Sequence, residues 1–203
     1  MGRRLVLLRH GLTAWNAEHR FQGQADTELT ETGVLQAKAA ATALAAYESS
    51  MVWSSDLTRA AITAQYVAEA SGADVVPDAR LREVHVGAFQ GLTHAEAVER
   101  FGVGPWDYGD HGGESDAATG ERVAAALTDA AVALPDGRTA VLVSHGAAMR
   151  SGLLRFLGWP LEQVRALGPL DNCGWIELID EPGTWFQSAP WRLAAYNRVT
   201  PIS

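Results

Sequence analysis

Two histidines far apart in the chain sit in the same local sequence. His10 follows Leu5-Val6-Leu7-Leu8-Arg9 and precedes Gly11, and His145 follows Ala140-Val141-Leu142-Val143-Ser144 and precedes Gly146. Each apolar run reads as a strand buried on both faces of a parallel sheet. A third run, Met51-Val52-Trp53, ends in Ser54-Ser55-Asp56-Leu57-Thr58-Arg59. Open α/β sheets bind ligands beyond the carboxyl ends of their strands. If the three strands are neighbours, two imidazoles and two guanidiniums meet at one edge. That set suits a phosphate monoester. Arg9 and Arg59 offer planar forks to the dianion, which a lysine would not. His10 can attack phosphorus if one ring nitrogen is bare and the other holds its proton in a hydrogen bond, most simply to a nearby backbone carbonyl. Gly11 would let the backbone turn closely enough for that bond.

A transfer to His10 expels an alkoxide that needs a proton, and the water that follows needs a base. Glu83, in the irregular stretch Leu81 to Gly91, can serve as both. The plainer reading of Glu83 is a surface pair with Arg82, worth little energetically. Asn16 and Gln22 lie in the polar, glycine-bearing stretch after the first strand and can donate amide hydrogens to phosphoryl oxygens. His19, His85, His94 and His111 have no metal-ligand spacing, and there is no HExxH, CxxC, P-loop or GxGxxG pattern. No metal and no cofactor are expected.

The elements that must hold these residues follow from periodicity and punctuation. Thr30 caps a helix running to about Tyr47, with Val34, Ala37, Ala41 and Leu44 on one face. A helix from about Leu57 to Ser71 stops at Gly72, and Val75-Val76 is a short strand. Thr93 and Glu96 have capping-box spacing and open a helix that Gly102 closes. Gly104 to Gly113, with Pro105, Trp106, Tyr108 and His111, reads as a pocket wall or lid. An alanine-rich helix spans about Ser115 to Leu134, with Gly120 a weak point, and Pro135-Asp136-Gly137 turns the chain into the His145 strand. Gly146 to Leu157 is helical, Gly158 stops it, and Pro160 starts a further short helix. Gly174 to Ile179 and Trp185 to Leu193 read as a hairpin around Glu181-Pro182-Gly183. Alternating strands and helices, with no linker or repeat, predict one α/β domain over residues 1–203 with helices on both sheet faces.

The bulk numbers narrow the partners. The 203 residues are 47% hydrophobic and 20% charged, with a formal net charge of -8. That charge disfavours nucleic acid and anionic membranes as partners. It also makes paired arginines more telling, because an anionic substrate is captured against the global field. The single cysteine, Cys173, reads as a buried thiol rather than half of a disulfide. No signal peptide or transmembrane stretch is evident, so the expected location is the cytoplasm.

In these motifs the sequence resembles the histidine phosphatase superfamily, in its phosphoglycerate-mutase-like branch. Arg9-His10-Gly11 matches the signature. Thr13, Asn16 and Phe21-Gln22-Gly23 match the loop after it, and Ser54 to Ala60 the second arginine motif. Leu81-Arg82-Glu83 with Gly87 and Gly91 matches the acid segment, and Ser144-His145-Gly146 the last motif. The resemblance implies a three-layer fold with a mixed, mainly parallel sheet of about six strands. It implies His10 as carrier of the phosphoryl group, with Glu83 as proton donor and His145 as the third catalytic group. Arg9, Asn16, Gln22, Arg59 and Gly146 would bind the phosphate, and no metal is implied. Leu12 stands where an acidic or amide residue is usual and bears on specificity. Leu12, Gly23, Trp106, Tyr108, His111 and Leu193 are candidates for the pocket walls. The implied partner is a small phosphate ester, and a homodimer stays open. Phosphoester hydrolysis is favoured over a cofactor-dependent phosphoglycerate mutase, because Gly87 to Gly113 carries only Arg100 as a cation. It is also favoured over a non-enzymatic phospholigand-binding protein, because the reactive set is complete.

Overall fold

The structure is a computed structural model that describes residues 2–103, 107–180 and 191–201. Its elements are β1 (Arg3–Arg9), α1 (Ala14–Ala17), α2 (Glu31–Ala45), β2 (Ser49–Ser54), α3 (Thr58–Ser71) and β3 (Val75–Pro77). Then follow α4 (His94–Phe101), α5 (Asp116–Ala133), β4 (Thr139–Ser144), α6 (Gly146–Leu157), β5 (Trp175–Asp180) and β6 (Arg192–Arg198). The strands form one six-stranded sheet in the order β3-β2-β4-β1-β5-β6. β1, β4, β2 and β3 are mutually parallel, β5 runs antiparallel to β1, and β6 antiparallel to β5.

The strand pleat sorts the core into two layers. Leu5, Leu7, Ala140, Leu142, Ile176 and Leu178 face α5 and α6, where Val123, Leu127, Met149 and Leu153 meet them. Val6, Leu8, Val52, Val141 and Val143 face α2 and α3, against Ala37, Ala41, Leu44, Ala60, Ala64 and Val67. Leu5 through Leu8 are at most 1% exposed. At ~1.5–3 kcal/mol for each buried aliphatic side chain, they stabilise the strand whose end carries a buried imidazole.

Helix ends follow their caps. Thr30 Oγ1 accepts the Gly33 N–H at 3.0 Å, and Thr93 and Glu96 close a reciprocal capping box. Gly72 and Gly158 end α3 and α6 in the left-handed conformation. Gly120 is not a weak point of α5. A Cβ there would lie 3.1 Å from the Ser151 carbonyl oxygen, and one at Gly152 only 2.2 Å from the Val123 side chain, so the two glycines let α5 and α6 pack closely. The segment after Pro160 is a 3₁₀ turn, Leu161–Arg165.

The C-terminal hairpin is described in part. Its second strand, β6, runs through Arg198, beyond the expected end at Leu193, while residues 181–190, with the expected turn and the start of the expected strand at Trp185, lie outside the described residues. Among the described residues, Trp191 is buried against Phe156 and Arg192 pairs with Ile179.

Candidate active site

The parallel register brings the two histidines together. Arg9 pairs with Ser144, and the His10 N–H donates to the Ser144 carbonyl at 3.1 Å, so both chains present an imidazole one step beyond. The ring centroids are 5.1 Å apart with planes tilted by 58°. Both side chains are buried.

His10 is held in one tautomer. Nδ1 lies 2.7 Å from the Gly11 carbonyl oxygen, an acceptor only, so Nδ1 carries the proton. Nε2 accepts from the Arg59 Nε–H at 3.3 Å and is bare. Burial holds the imidazole well below its ordinary pKa, and the charges of Arg9 and Arg59 add to this, against the Gly11 bond. The ring is therefore neutral at neutral pH. Gly11 is required for a different reason from the one expected. A Cβ there would lie 2.3 Å from the Gly33 carbonyl oxygen, so glycine lets the turn lie against α2.

Arg59, on the first turn of α3, is fully buried. Nη2 donates to the Gly23 carbonyl at 2.8 Å and Nη1 to the Ala25 carbonyl at 2.6 Å. Burial lowers its pKa to about 10, against Glu83 and Asp26, so it stays cationic at neutral pH. Arg9 is also lowered by burial, with Glu83 opposing. The Arg9 Nε has no partner among the described residues.

Two amides flank this pair, each held by its oxygen. Asn16 Oδ1 accepts from the Thr13 N–H and from Asn172 Nδ2. Gln22 Oε1 accepts from the Thr27 hydroxyl at 2.7 Å and lies 3.0 Å from the Thr13 hydroxyl. With their oxygens engaged, what both amides can offer the cleft is N–H.

Glu83 reaches the start of α6. Its Oε1 accepts the Ala148 N–H at 2.8 Å and the Val84 N–H at 3.0 Å, and its Oε2 the Ala147 N–H at 3.3 Å. A helix N-terminus leaves such N–H groups without intrahelical partners. The surface pair with Arg82 does not form, because Arg82 Nε donates to Asp56 Oδ1 at 2.7 Å.

One cleft is lined by Arg9, His10, Asn16, Gln22, Gly23, Arg59, Glu83 and Tyr108, with Arg20, Phe21, Val84, Val86 and Ala147. The family model for the histidine phosphatase superfamily, branch 1, matches residues 5–190. The chain belongs to that superfamily. A glucosyl-3-phosphoglycerate phosphatase of Mycobacterium tuberculosis is 39% identical, across 99% of this chain and 97% of that protein. A probable phosphoglycerate mutase of Serratia proteamaculans is 36% identical, across 98% and 94%. The structure of a mycobacterial glucosyl-3-phosphoglycerate phosphatase complexed with VO3 superposes with a TM-score of 0.84 at 37% identity, covering 96% of this chain and 98% of that one.

Within this histidine phosphatase fold, other candidates fall outside the cleft lining. His145 is one of these, although its ring lies 5.1 Å from that of His10. Its Nε2 is 2.9 Å from the Ser55 hydroxyl, its Nδ1 is buried without a partner, and burial holds its pKa well below the ordinary value. Gly146 opens α6, where a Cβ would be 3.5 Å from Arg9 Nε. Leu12 sits with its backbone on α2, its N–H donating to Gln36 Oε1 at 2.8 Å. His111 packs against Phe89 and Phe101. Leu193 pairs with Leu178, which also pairs with Leu5, well away from the His10 end of the sheet. The antiparallel register places it there. Trp106 lies outside the described residues. Cys173 is buried, its thiol pushed up to about 12 by burial.

Sequence reasoning missed Ser55, Arg20 and the loop 170–174. Arg9 Nη1 donates to the Leu170 carbonyl, Asn172 Nδ2 to the His10 carbonyl at 3.1 Å and the Cys173 N–H to the same oxygen at 3.2 Å. That loop ties Arg9, His10 and Asn16 together. No local signal marks it, since its partners lie more than 150 positions away in sequence. Among the described residues, no group of three or more His, Cys, Asp or Glu could hold a metal ion, and no helix is long and apolar enough to cross a membrane.

Proposed function

We propose that this protein hydrolyses a phosphate monoester through a phosphohistidine on His10. The observation that carries the reading is the His10 ring. Its proton is on Nδ1 and its bare Nε2 lies beside Arg59, in a cleft shared with Arg9 and Glu83. The dianion binds to Arg9 and Arg59 and to the amide N–H groups of Asn16 and Gln22, so cations and donors already oriented receive the charge. Nε2 attacks phosphorus as the ester P–O bond breaks. The leaving oxygen takes a proton from Glu83, carried on Oε2, the less engaged oxygen. Water then attacks phosphorus, the P–N bond breaks, and Glu83 takes the water's proton. Inorganic phosphate leaves, and neutral His10 is restored. The Gly11 carbonyl stabilises the ring cation while the phosphoryl group is attached.

His145 acts differently. The Ser55 hydroxyl accepts from the Leu57 N–H at 3.3 Å and can give its own hydrogen to His145 Nε2. That leaves the proton on Nδ1, as a donor to a phosphoryl oxygen.

The substrate we propose is glucosyl-3-phosphoglycerate. The mycobacterial relatives bear that name, and Gln22 to Leu29, Gln90 to Ala95 and His111 to Ser115 resemble their segments. Tyr108 and Phe21 give the cleft an aromatic wall, which suits a sugar ring. The mutase reading has the Serratia relative in its favour. Against it stands the higher identity to the relative named as a phosphatase, 39% against 36%.

The test compares kcat/KM for phosphate release from glucosyl-3-phosphoglycerate, 3-phosphoglycerate and an aryl phosphate, without added metal. A clear preference for the glucosyl ester is expected. Equal slow rates would discard that substrate, and absence of release with conversion between phosphoglycerates would establish the mutase.

A further inference from the structure

Arg122, on α5, does not line the cleft, yet each of its N–H groups points at the segment that carries Glu83 or at Glu114. Nη1 donates to the Arg80 carbonyl at 2.8 Å and the Arg82 carbonyl at 2.6 Å. Nη2 donates to the Glu83 carbonyl at 2.9 Å and to Glu114 Oε2 at 2.8 Å, and Nε to Glu114 Oε1 at 2.8 Å. Glu114 in turn grips the other side of the segment. Its Oε2 accepts the His85 N–H at 2.8 Å, and its own N–H donates to the His85 carbonyl at 2.7 Å. From the opposite direction Gln24 Nε2, in the loop that carries Gln22 and Gly23, donates to the Glu83 carbonyl at 3.0 Å.

We infer that Arg122 and Glu114 form a clasp that positions Glu83 for proton transfer. The inference rests on the reading of Glu83 as proton donor. Residues 82–86 have no helix or strand to hold them. A carboxyl group that must meet a leaving oxygen within hydrogen-bond reach cannot tolerate a free backbone. The clasp supplies what a strand supplies for His10. Its geometry uses the guanidinium fork, so a lysine, with the same charge, cannot close it. Burial raises the Glu114 carboxyl, but Arg122 and the His85 N–H outweigh it and hold the group below the usual range, so the clasp is ionic at neutral pH.

A purely structural tie would lower stability and slow all substrates alike. A positioning tie shows leaving-group dependence. An aryl phosphate has a good leaving group and needs little protonation, whereas an alkyl phosphate needs a proton. The experiment measures kcat/KM on both esters for Glu83→Gln, Arg122→Lys, Glu114→Gln and the double variant Glu83→Gln/Arg122→Lys. Positioned acid–base groups are worth ~10²–10⁴-fold, so Glu83→Gln should lose about that much on the alkyl ester and far less on the aryl ester. Arg122→Lys should lose roughly tenfold or more on the alkyl ester, again with a much smaller aryl loss. Glu114→Gln, which keeps the shape of the clasp, should move the same way by less and stands in if Arg122→Lys does not fold. In the double variant, Arg122→Lys should add no more than about twofold, because it acts through a group already removed. Equal losses on both esters in Arg122→Lys and Glu114→Gln, with Glu83→Gln still selective, would overturn the clasp alone. If Glu83→Gln is itself unselective, the proton-donor role fails and the clasp with it.

Discussion

The His10 and His145 turns begin from nearly the same sequence and end as different chemical groups. Both follow apolar strands, both precede glycine, and the parallel register sets them level. Yet His10 donates its Nδ1–H to a carbonyl and presents Nε2 to the cleft, whereas His145 spends Nε2 on Ser55 and leaves Nδ1 without a protein partner among the described residues. Their glycines differ too. Gly11 is pressed against α2, while Gly146 begins a helix with ordinary room around it. Local sequence decides where an imidazole sits, and its hydrogen-bond partner decides which nitrogen is free to react.

The largest effect should separate the two rings. His10→Ala should lower kcat by at least ~10⁴-fold, as loss of a nucleophile does, while His145→Ala should lose roughly 10²–10³-fold, as loss of one donor to a charged transition state does. Steady-state assays on purified, folded variants check this, and equal losses would erase the distinction. The glycines sharpen it on stability. Gly11→Ala would force a backbone contact and should cost about 1–3 kcal/mol in chemical denaturation, while Gly146→Ala should stay within roughly 0.5 kcal/mol. Similar costs at both would show that neither close approach matters. Ser55→Ala leaves His145 Nε2 buried without its partner, so a stability loss of about 1–3 kcal/mol is expected. Activity should fall with it, without the leaving-group selectivity of the Glu83 variants.

The smallest effect is a pH dependence. Both imidazoles are held below their ordinary pKa, chiefly by burial. The unfolded chain therefore binds more protons than the folded one below about pH 6.5. Stability should fall as pH drops through that value toward the folded-state pKa values, and thermal melting should show it. His10→Gln should flatten the acid side of the profile, and an unchanged profile would mean that His10 does not contribute.

Much of this arrangement is written locally. The apolar runs of β1 and β4, the caps at Thr30 and Thr93 and the stops at Gly72 and Gly158 are short-range features, and each appears in the structure where its sequence predicts. The gathering of Arg9, His10 and Arg59 at one cleft follows from β1 and β2 ending at the same sheet edge, while Glu83 arrives on an irregular segment beyond β3. What was not legible depends on distant partners or on register. Ser55 matters because it meets a residue 90 positions away, and Asn172 because it meets one 162 positions away. Gly11 reads in sequence as a close backbone turn, and the atom that demands glycine belongs to Gly33. Leu12, His111 and Leu193 lie near motifs, but a backbone bond holds Leu12 to α2, ring packing draws His111 into an aromatic cluster and the antiparallel register carries Leu193 away from the His10 end of the sheet.

The most direct test is to quench the enzyme during turnover under conditions that preserve phosphoramidates and to locate the phosphoryl group by mass spectrometry and phosphorus NMR. The account predicts a turnover-dependent adduct on His10, bonded at Nε2, and absent in His10→Ala. An adduct on His145, or at Nδ1 of His10, would contradict the tautomers described for the two rings, and steady hydrolysis with no histidine adduct would contradict the covalent mechanism itself.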